Sequence, residues 1–123
     1  MMRGQRLFVR PIERGDDDAV RAFLGGPDPP RTGLVGKLVG NLVAVLSMEV
    51  TADAIRVDDL VVARELRRKQ IGRVMLNELA DLAAKMEREW LIVEFDRERN
   101  DAREFLLRVG FVEEDGRMRR KVR

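Results

Sequence analysis

Leu60-Val61-Val62-Ala63-Arg64-Glu65-Leu66-Arg67-Arg68-Lys69-Gln70-Ile71-Gly72-Arg73 decides how this chain is read. A β-branched run ends in a short basic turn, and the turn opens onto a segment whose apolar residues recur with a helical period. Such a junction gathers three things that hold phosphate. The N–H groups of a first helical turn lack intrahelical acceptors, the macrodipole is positive there, and Arg67, Arg68, Lys69 and Arg73 add full charges. A solvated charge run is the ordinary meaning of such a cluster. Its place between a strand and a helix start favours a pyrophosphate instead.

The surrounding pattern alternates between strand and helix periods. Downstream, Ile71, Met75, Leu79, Leu82 and Met86 share one face of a helix from Gln70 to Glu89, and Trp90 to Phe95 is the next strand. Upstream, Ala54 to Val62 is a strand preceded by a turn at Thr51-Ala52-Asp53. Leu34 to Val39 and Leu42 to Met48 read as a hairpin about Gly40-Asn41. Nearer the start, Arg6 to Arg10 is a strand stopped by Pro11. A short helix opens at Gly15-Asp16-Asp17-Asp18, carries Ala19, Val20, Phe23 and Leu24, and ends at Gly25-Gly26. Pro27-Asp28-Pro29-Pro30 is a loop. Towards the end, a helix from Asp101 to Arg108 is closed by Gly110, and a pair of short strands flanks Gly116.

The order is β-α-β-β-β-α-β-α-β-β, an α+β domain occupying residues 1–123 as one unit. Residues 54–95 form a strand-helix-strand unit, expected as a right-handed parallel crossover. Trp90 and the six Met residues read as core, and the basic run from Arg117 to Arg123 as an edge strand blunted by charge.

Composition narrows the chemistry. Of 123 residues, 24 are basic and 22 acidic, so the net charge of +2 gives no general affinity for nucleic acid or anionic membrane. No stretch approaches a membrane span and the start lacks the apolar core of a signal peptide, so the expected compartment is cytoplasmic. The chain has no Cys, His or Tyr. That excludes disulfides, thiolate nucleophiles, Cys/His zinc sites, a Ser-His-Asp triad and any His or Tyr general acid. No metal is expected. Proton chemistry falls to Asp, Glu, Lys, hydroxyls, backbone or water, which favours a reaction run by positioning.

Two segments carry a resemblance. Arg67-Arg68-Lys69-Gln70-Ile71-Gly72 resembles the Arg/Gln-x-x-Gly-x-Gly signature of the GNAT superfamily of acyl-CoA-dependent N-acyltransferases. Ala102 to Phe111, Ala-Arg-Glu-Phe-Leu-Leu-Arg-Val-Gly-Phe, is similar to that family's Asn-x-x-Ala-x-x-Phe-Tyr-x-x-x-Gly-Phe segment. The likeness covers roughly residues 55–112, and Arg56 to Val62 with the following turn is similar to the glucosamine-6-phosphate N-acetyltransferase branch.

The resemblance implies the GNAT fold: a mixed, mostly antiparallel sheet in which the strand at 57–62 splays from that at 90–95 and acetyl-CoA lies in the gap. It implies that backbone groups of Leu60, Val61 and Val62 bond the pantetheine arm and acyl carbonyl. It gives the pyrophosphate to residues 68–73, with Gln70, Ile71 and Gly72 in the turn and Arg67, Arg68, Lys69 or Arg73 on the remaining phosphates. Asn100 is carried over as a cofactor contact, although it precedes Ala102 by two residues rather than three. Asp58 is the candidate base, at a position where some members carry a Glu. Strand alternation sends Asp58, Leu60 and Val62 to one face and Asp59 and Val61 to the other, and the plainer reading of Asp58 is an ion pair with Arg56.

Two departures bear on function. Gln70 replaces the first Gly of the signature, at a turn position suited to positive φ. Leu106 stands where the family's Tyr protonates the leaving thiolate, so catalysis without that acid should be slower. The leading expectation is an acetyl-CoA-dependent N-acetyltransferase acting on a primary amine of a small molecule or protein. The alternative is a CoA-binding module with little turnover. A nucleic-acid module is disfavoured by the scarcity of aromatic residues. Residues 11–33 leave room for only one short helix where the family usually has two, so the acceptor site is expected either to be open or to be completed by a homodimer through an exposed strand edge.

Overall fold

A computed structural model describes residues 6–26, 28–66, 70–94 and 100–122. Among these residues seven strands form one sheet: β1 (Leu7–Pro11), β2 (Gly33–Leu38), β3 (Asn41–Val50), β4 (Ala54–Val62), β5 (Trp90–Glu94), β6 (Val112–Glu114) and β7 (Arg117–Lys121). Their order is β1-β2-β3-β4-β5-β7-β6. Of these described strands, β4 and β5 pair in parallel, joined by a helical crossover as the sequence predicts; the other neighbours are antiparallel. The helices are α1 (Asp17–Leu24), α2 (Ile71–Lys85) and α3 (Asn100–Arg108), so the element order matches the sequence reading throughout.

Strand alternation divides the sheet into two unlike faces. On one, α2 and α3 bury Met75, Leu76, Leu79, Leu106 and Val109 against Leu46, Ile55, Leu91, Phe111 and Met118. On the other, α1 covers only β2 and β3, where Val20, Phe23 and Leu24 pack on Val35 and Val45. Over β4, β5 and β7 this second face has no helix among the described residues. Across it runs a row fixed by the strand register: Glu49, Arg56, Ile92, Arg119 and Val112.

A half-buried ion pair ties the start of α1 to the sheet. Arg10 at the end of β1 donates from Nη1 and Nη2 to Asp16 at 2.8 and 2.6 Å, and the Glu13 N–H donates to the same carboxylate at 2.8 Å. Asp16 is 6% exposed. The Arg10 guanidinium and the Glu13 amide hold its pKa down at about 2, against the opposing cost of burial.

Four local expectations are corrected. The β2–β3 turn is Val39-Gly40 rather than Gly40-Asn41, because Leu38 pairs with Asn41 and leaves a two-residue loop. Both loop residues take positive φ, 50° and 80°, the mirror-image turn that suits the strand twist. Helix α2 ends at Lys85 rather than Glu89. Glu87 turns left-handed with φ 60°, and Arg88 N–H reaches back to the Ala83 carbonyl at 2.8 Å, a stop normally signalled by glycine. The basic strand β7 is not an edge. The tight Asp115-Gly116 turn folds β6 outward, while Met118, fully buried, plugs the core beside β5. Trp90 lies on the uncovered face rather than in the core, with the Arg119 guanidinium 3.9 Å from its ring centroid. No helix among the described residues is long and apolar enough to cross a membrane.

Candidate functional site

The site begins at an irregularity in β4. Met48 pairs with Val57 and Ser47 with Asp59, so Asp58 is an extra residue with no partner on β3. This bulge overturns the alternation expected for the segment. Val57 lies on the α2 face, and beyond the bulge Leu60 and Val62 return to it. Asp59, opposite Ser47, and Asp58, bonded to Arg56, both go to the uncovered face. Asp58 therefore does not share a face with Leu60 and Val62.

The same bulge marks where β4 parts from β5. Among the described residues their ladder runs from Ala54–Trp90 to Val57–Val93, while β4 continues to Val62 paired with β3. The backbone of the edge that faces away from β3 can be assigned residue by residue. Ala63 N–H donates to the Val43 carbonyl at 2.8 Å, across the β3–β4 ladder. Because antiparallel ladders alternate, Val61 also spends its N–H and C=O on β3, and Leu60 and Val62 direct theirs into the gap. Those groups form a row of donors and acceptors that an extended amide-bearing chain can pair with, as an added strand would. Leu60 N–H already meets the Asp59 carboxylate at 2.9 Å.

Helix α2 starts at the open end of the gap. Its N-cap, Gln70, is left-handed, with φ 63° and ψ 19°. The backbone keeps the conformation that glycine takes without strain, at about 1 kcal/mol or more for a residue with a Cβ. Its side chain makes no cap hydrogen bond, so the first-turn amides of Ile71, Gly72 and Arg73 have no acceptor within the helix. Gly72 is closely packed, so a side chain there would need the Phe105 ring to give by a few tenths of an ångström. A Cβ there would lie 3.1 Å from Phe105 Cζ and 3.7 Å from Leu60 Cδ2, so β4, α2 and α3 converge at this point. Arg73 is exposed on the first turn and Ile71 is buried beneath it. Arg67, Arg68 and Lys69 lie outside the described residues. Asn100 is the first residue of α3.

The structure contains the Arg56–Asp58 ion pair read from the sequence and adds Glu49, which motif reading passed over. Arg56 donates from Nε to Asp58 Oδ1 at 3.0 Å and from Nη2 to Glu49 Oε2 at 2.5 Å, joining β3 to the bulge. Asp58, Glu49 and the nearby Glu94 all raise the Arg56 pKa. Glu49 was not visible as a participant because only the strand register sets it opposite Arg56; the Arg-x-Asp spacing was the legible half. Leu106, 6% exposed, is packed into the main core, and its carbonyl accepts from Phe111 N–H at 3.0 Å. No hydroxyl occupies that position.

Residues 30–113 match the model of the acetyltransferase (GNAT) domain. No curated protein sequence matches the chain. Solved structures do. A GNAT-family protein of Desulfovibrio desulfuricans superposes with a TM-score of 0.80 at 14% identity, covering 96% of this chain and all of the other. The ribosomal-protein-S18-alanine N-acetyltransferase of Escherichia coli gives 0.77 at 17% identity, over 95% and 94% of the two chains. N-acetylglutamate synthase of Neisseria gonorrhoeae, in complex with coenzyme A and N-acetyl-glutamate, gives 0.79 at 14% identity, over 96% of this chain and 35% of that one. At these identities the likeness is one of fold.

Proposed function

Because the chain belongs to the GNAT acetyltransferase domain family, we propose that it transfers the acetyl group of acetyl-CoA directly to a primary amine of a small molecule or protein. The observation that carries this reading is that, among the described residues, the β4–β5 ladder ends at Val57–Val93, beside the start of α2, where the Gln70 side chain makes no cap hydrogen bond. The residues present fit the co-substrate. Leu60 offers its outward amide to the acyl carbonyl, Val62 offers its outward amide and carbonyl to a pantetheine arm, and the first-turn amides of α2 with Arg73 offer charge and donors to a pyrophosphate. Arg67, Arg68 and Lys69 remain part of the proposal on the strength of the motif.

Acetyl-CoA supplies an activated thioester, so a positioned amine needs no covalent enzyme intermediate. The chain's work is to hold the two reactants and move one proton. Asp58 is the proposed acceptor of that proton, directly or through water, with Arg56 fixing its carboxylate. Leu106 can donate no proton to the departing thiolate, which leaves as the anion. That same position favours a second reading, a CoA-binding module with little turnover.

Two measurements separate the readings. Calorimetry should detect acetyl-CoA binding at tens of micromolar or tighter, and a panel of primary amines should then release thiol. Tight binding without thiol release from any amine selects the module; absence of binding removes both. Arg73→Ala should weaken CoA by about tenfold and leave a pantetheine fragment unaffected, since it touches only the phosphate end.

A further inference from the structure

Two adjacent carboxylates at the bulge are held very differently. Asp58 is fixed by the Arg56 guanidinium, which Glu49 fixes in turn. Asp59 is exposed and makes no ion pair among the described residues; its partner is the next amide along the chain, Leu60 N–H, at 2.9 Å. The bulge produces this contact. In a regular strand Asp59 would follow Val57 onto the α2 face, but the extra residue turns it opposite Ser47 and sets Oδ1 against the amide that faces the gap.

We propose that Asp59 is a placeholder for the acyl oxygen of the donor: its carboxylate caps Leu60 N–H in the free protein, and a thioester carbonyl must displace it. This rests on the acyl-CoA reading above, in which the gap beside Leu60 and Val62 receives the thioester. Free CoA has no carbonyl at that point and displaces nothing, so Asp59 acts on discrimination between the acylated and free forms. The exchange is feasible because Asp59 swings into water when it leaves, regaining hydration. It still carries a cost, because a carboxylate is a stronger acceptor than a thioester carbonyl.

The test is a pair of dissociation constants, for CoA and acetyl-CoA, measured by calorimetry on the wild type, Asp59→Ala and Asp59→Asn. Removing the carboxylate should tighten acetyl-CoA by about fivefold and change CoA by less than about twofold. Asp59→Asn, whose amide oxygen still accepts, should fall between. The Leu60 amide proton should shift in Asp59→Ala without ligand, which a general loosening of the strand would not confine to one residue. Equal changes for the two ligands, or weaker acetyl-CoA binding in Asp59→Ala, overturns the proposal alone. A wild-type chain that binds neither ligand overturns the acyl-CoA reading and this inference with it.

Discussion

The two faces of the sheet divide the work of the molecule. Under α2 and α3, Ile55, Met75, Leu79, Leu91, Phe111 and Met118 are sealed from water and form one continuous apolar layer. On the reverse, over β4, β5 and β7, Arg56, Asp58 and Arg119 stay in contact with solvent and pair with one another's neighbours. The first face holds the strands together. The second is free of that duty, so charge, a bulge and an unpaired backbone edge can persist there at little expense to the fold. If this division is right, equal insults to the two faces should differ several-fold in consequence.

The largest effect should come from Phe111→Ala. The ring is 2% exposed, and truncating it leaves a cavity that rigid neighbours can only partly fill. A loss of about 4 kcal/mol is expected from the midpoint of denaturant unfolding, at unchanged m-value. A loss under about 1 kcal/mol would show that the layer collapses readily, and would break the contrast.

A middle value belongs to the Arg10–Asp16 pair, at the junction of β1 and α1. Asp16 is deprotonated more readily in the folded chain than in the unfolded one, with its pKa lowered from 3.8 to about 2. The stability it contributes is therefore full above about pH 4 and lost as pH falls toward 2. That contribution is on the order of 2 kcal/mol. Asp16→Asn should lose it near neutral pH and should flatten the acid limb of the stability profile. A variant with the same acid limb as the wild type would assign the limb to other carboxylates.

How much of this was legible follows the same division. The helix-covered face obeys period rules, so the β4-α2-β5 crossover and the stripe of Ile71, Met75 and Leu79 could be read directly. What escaped depended on register or on backbone conformations that their residues do not advertise. Val39, Gln70 and Glu87 all take positive φ without being glycine, which moved a turn and a helix end. Gln70 is the instructive case among the site residues. Its family position called for a left-handed turn, its side chain argued against one, and the turn prevailed. The bulge at Asp58 left no local signal, because an Arg-x-Asp pair looks the same in a regular strand. Only the pairing with Ser47 and Met48 reveals that both aspartates point away from α2.

The smallest effect should come from the uncovered face itself. Arg119 lies 3.9 Å from the Trp90 centroid and 3.0 Å from Glu114, contacts that look extensive but remain wet. Arg119→Met keeps the hydrocarbon over the indole while removing the charge, so it isolates the cation–π and ion-pair contributions. At an exposed site the cation–π contact is worth about 0.5 kcal/mol and the ion pair about 0.3 kcal/mol, and salt screens the pair. The expected loss is therefore under about 1 kcal/mol at low salt, and smaller in high salt where the ion pair fades. A loss comparable with that of Phe111→Ala would mean that this face is a structural layer in its own right. The bulge, the unpaired edge and Asp59 would then be held in place by the sheet's packing, rather than tolerated because that packing lies on the other side.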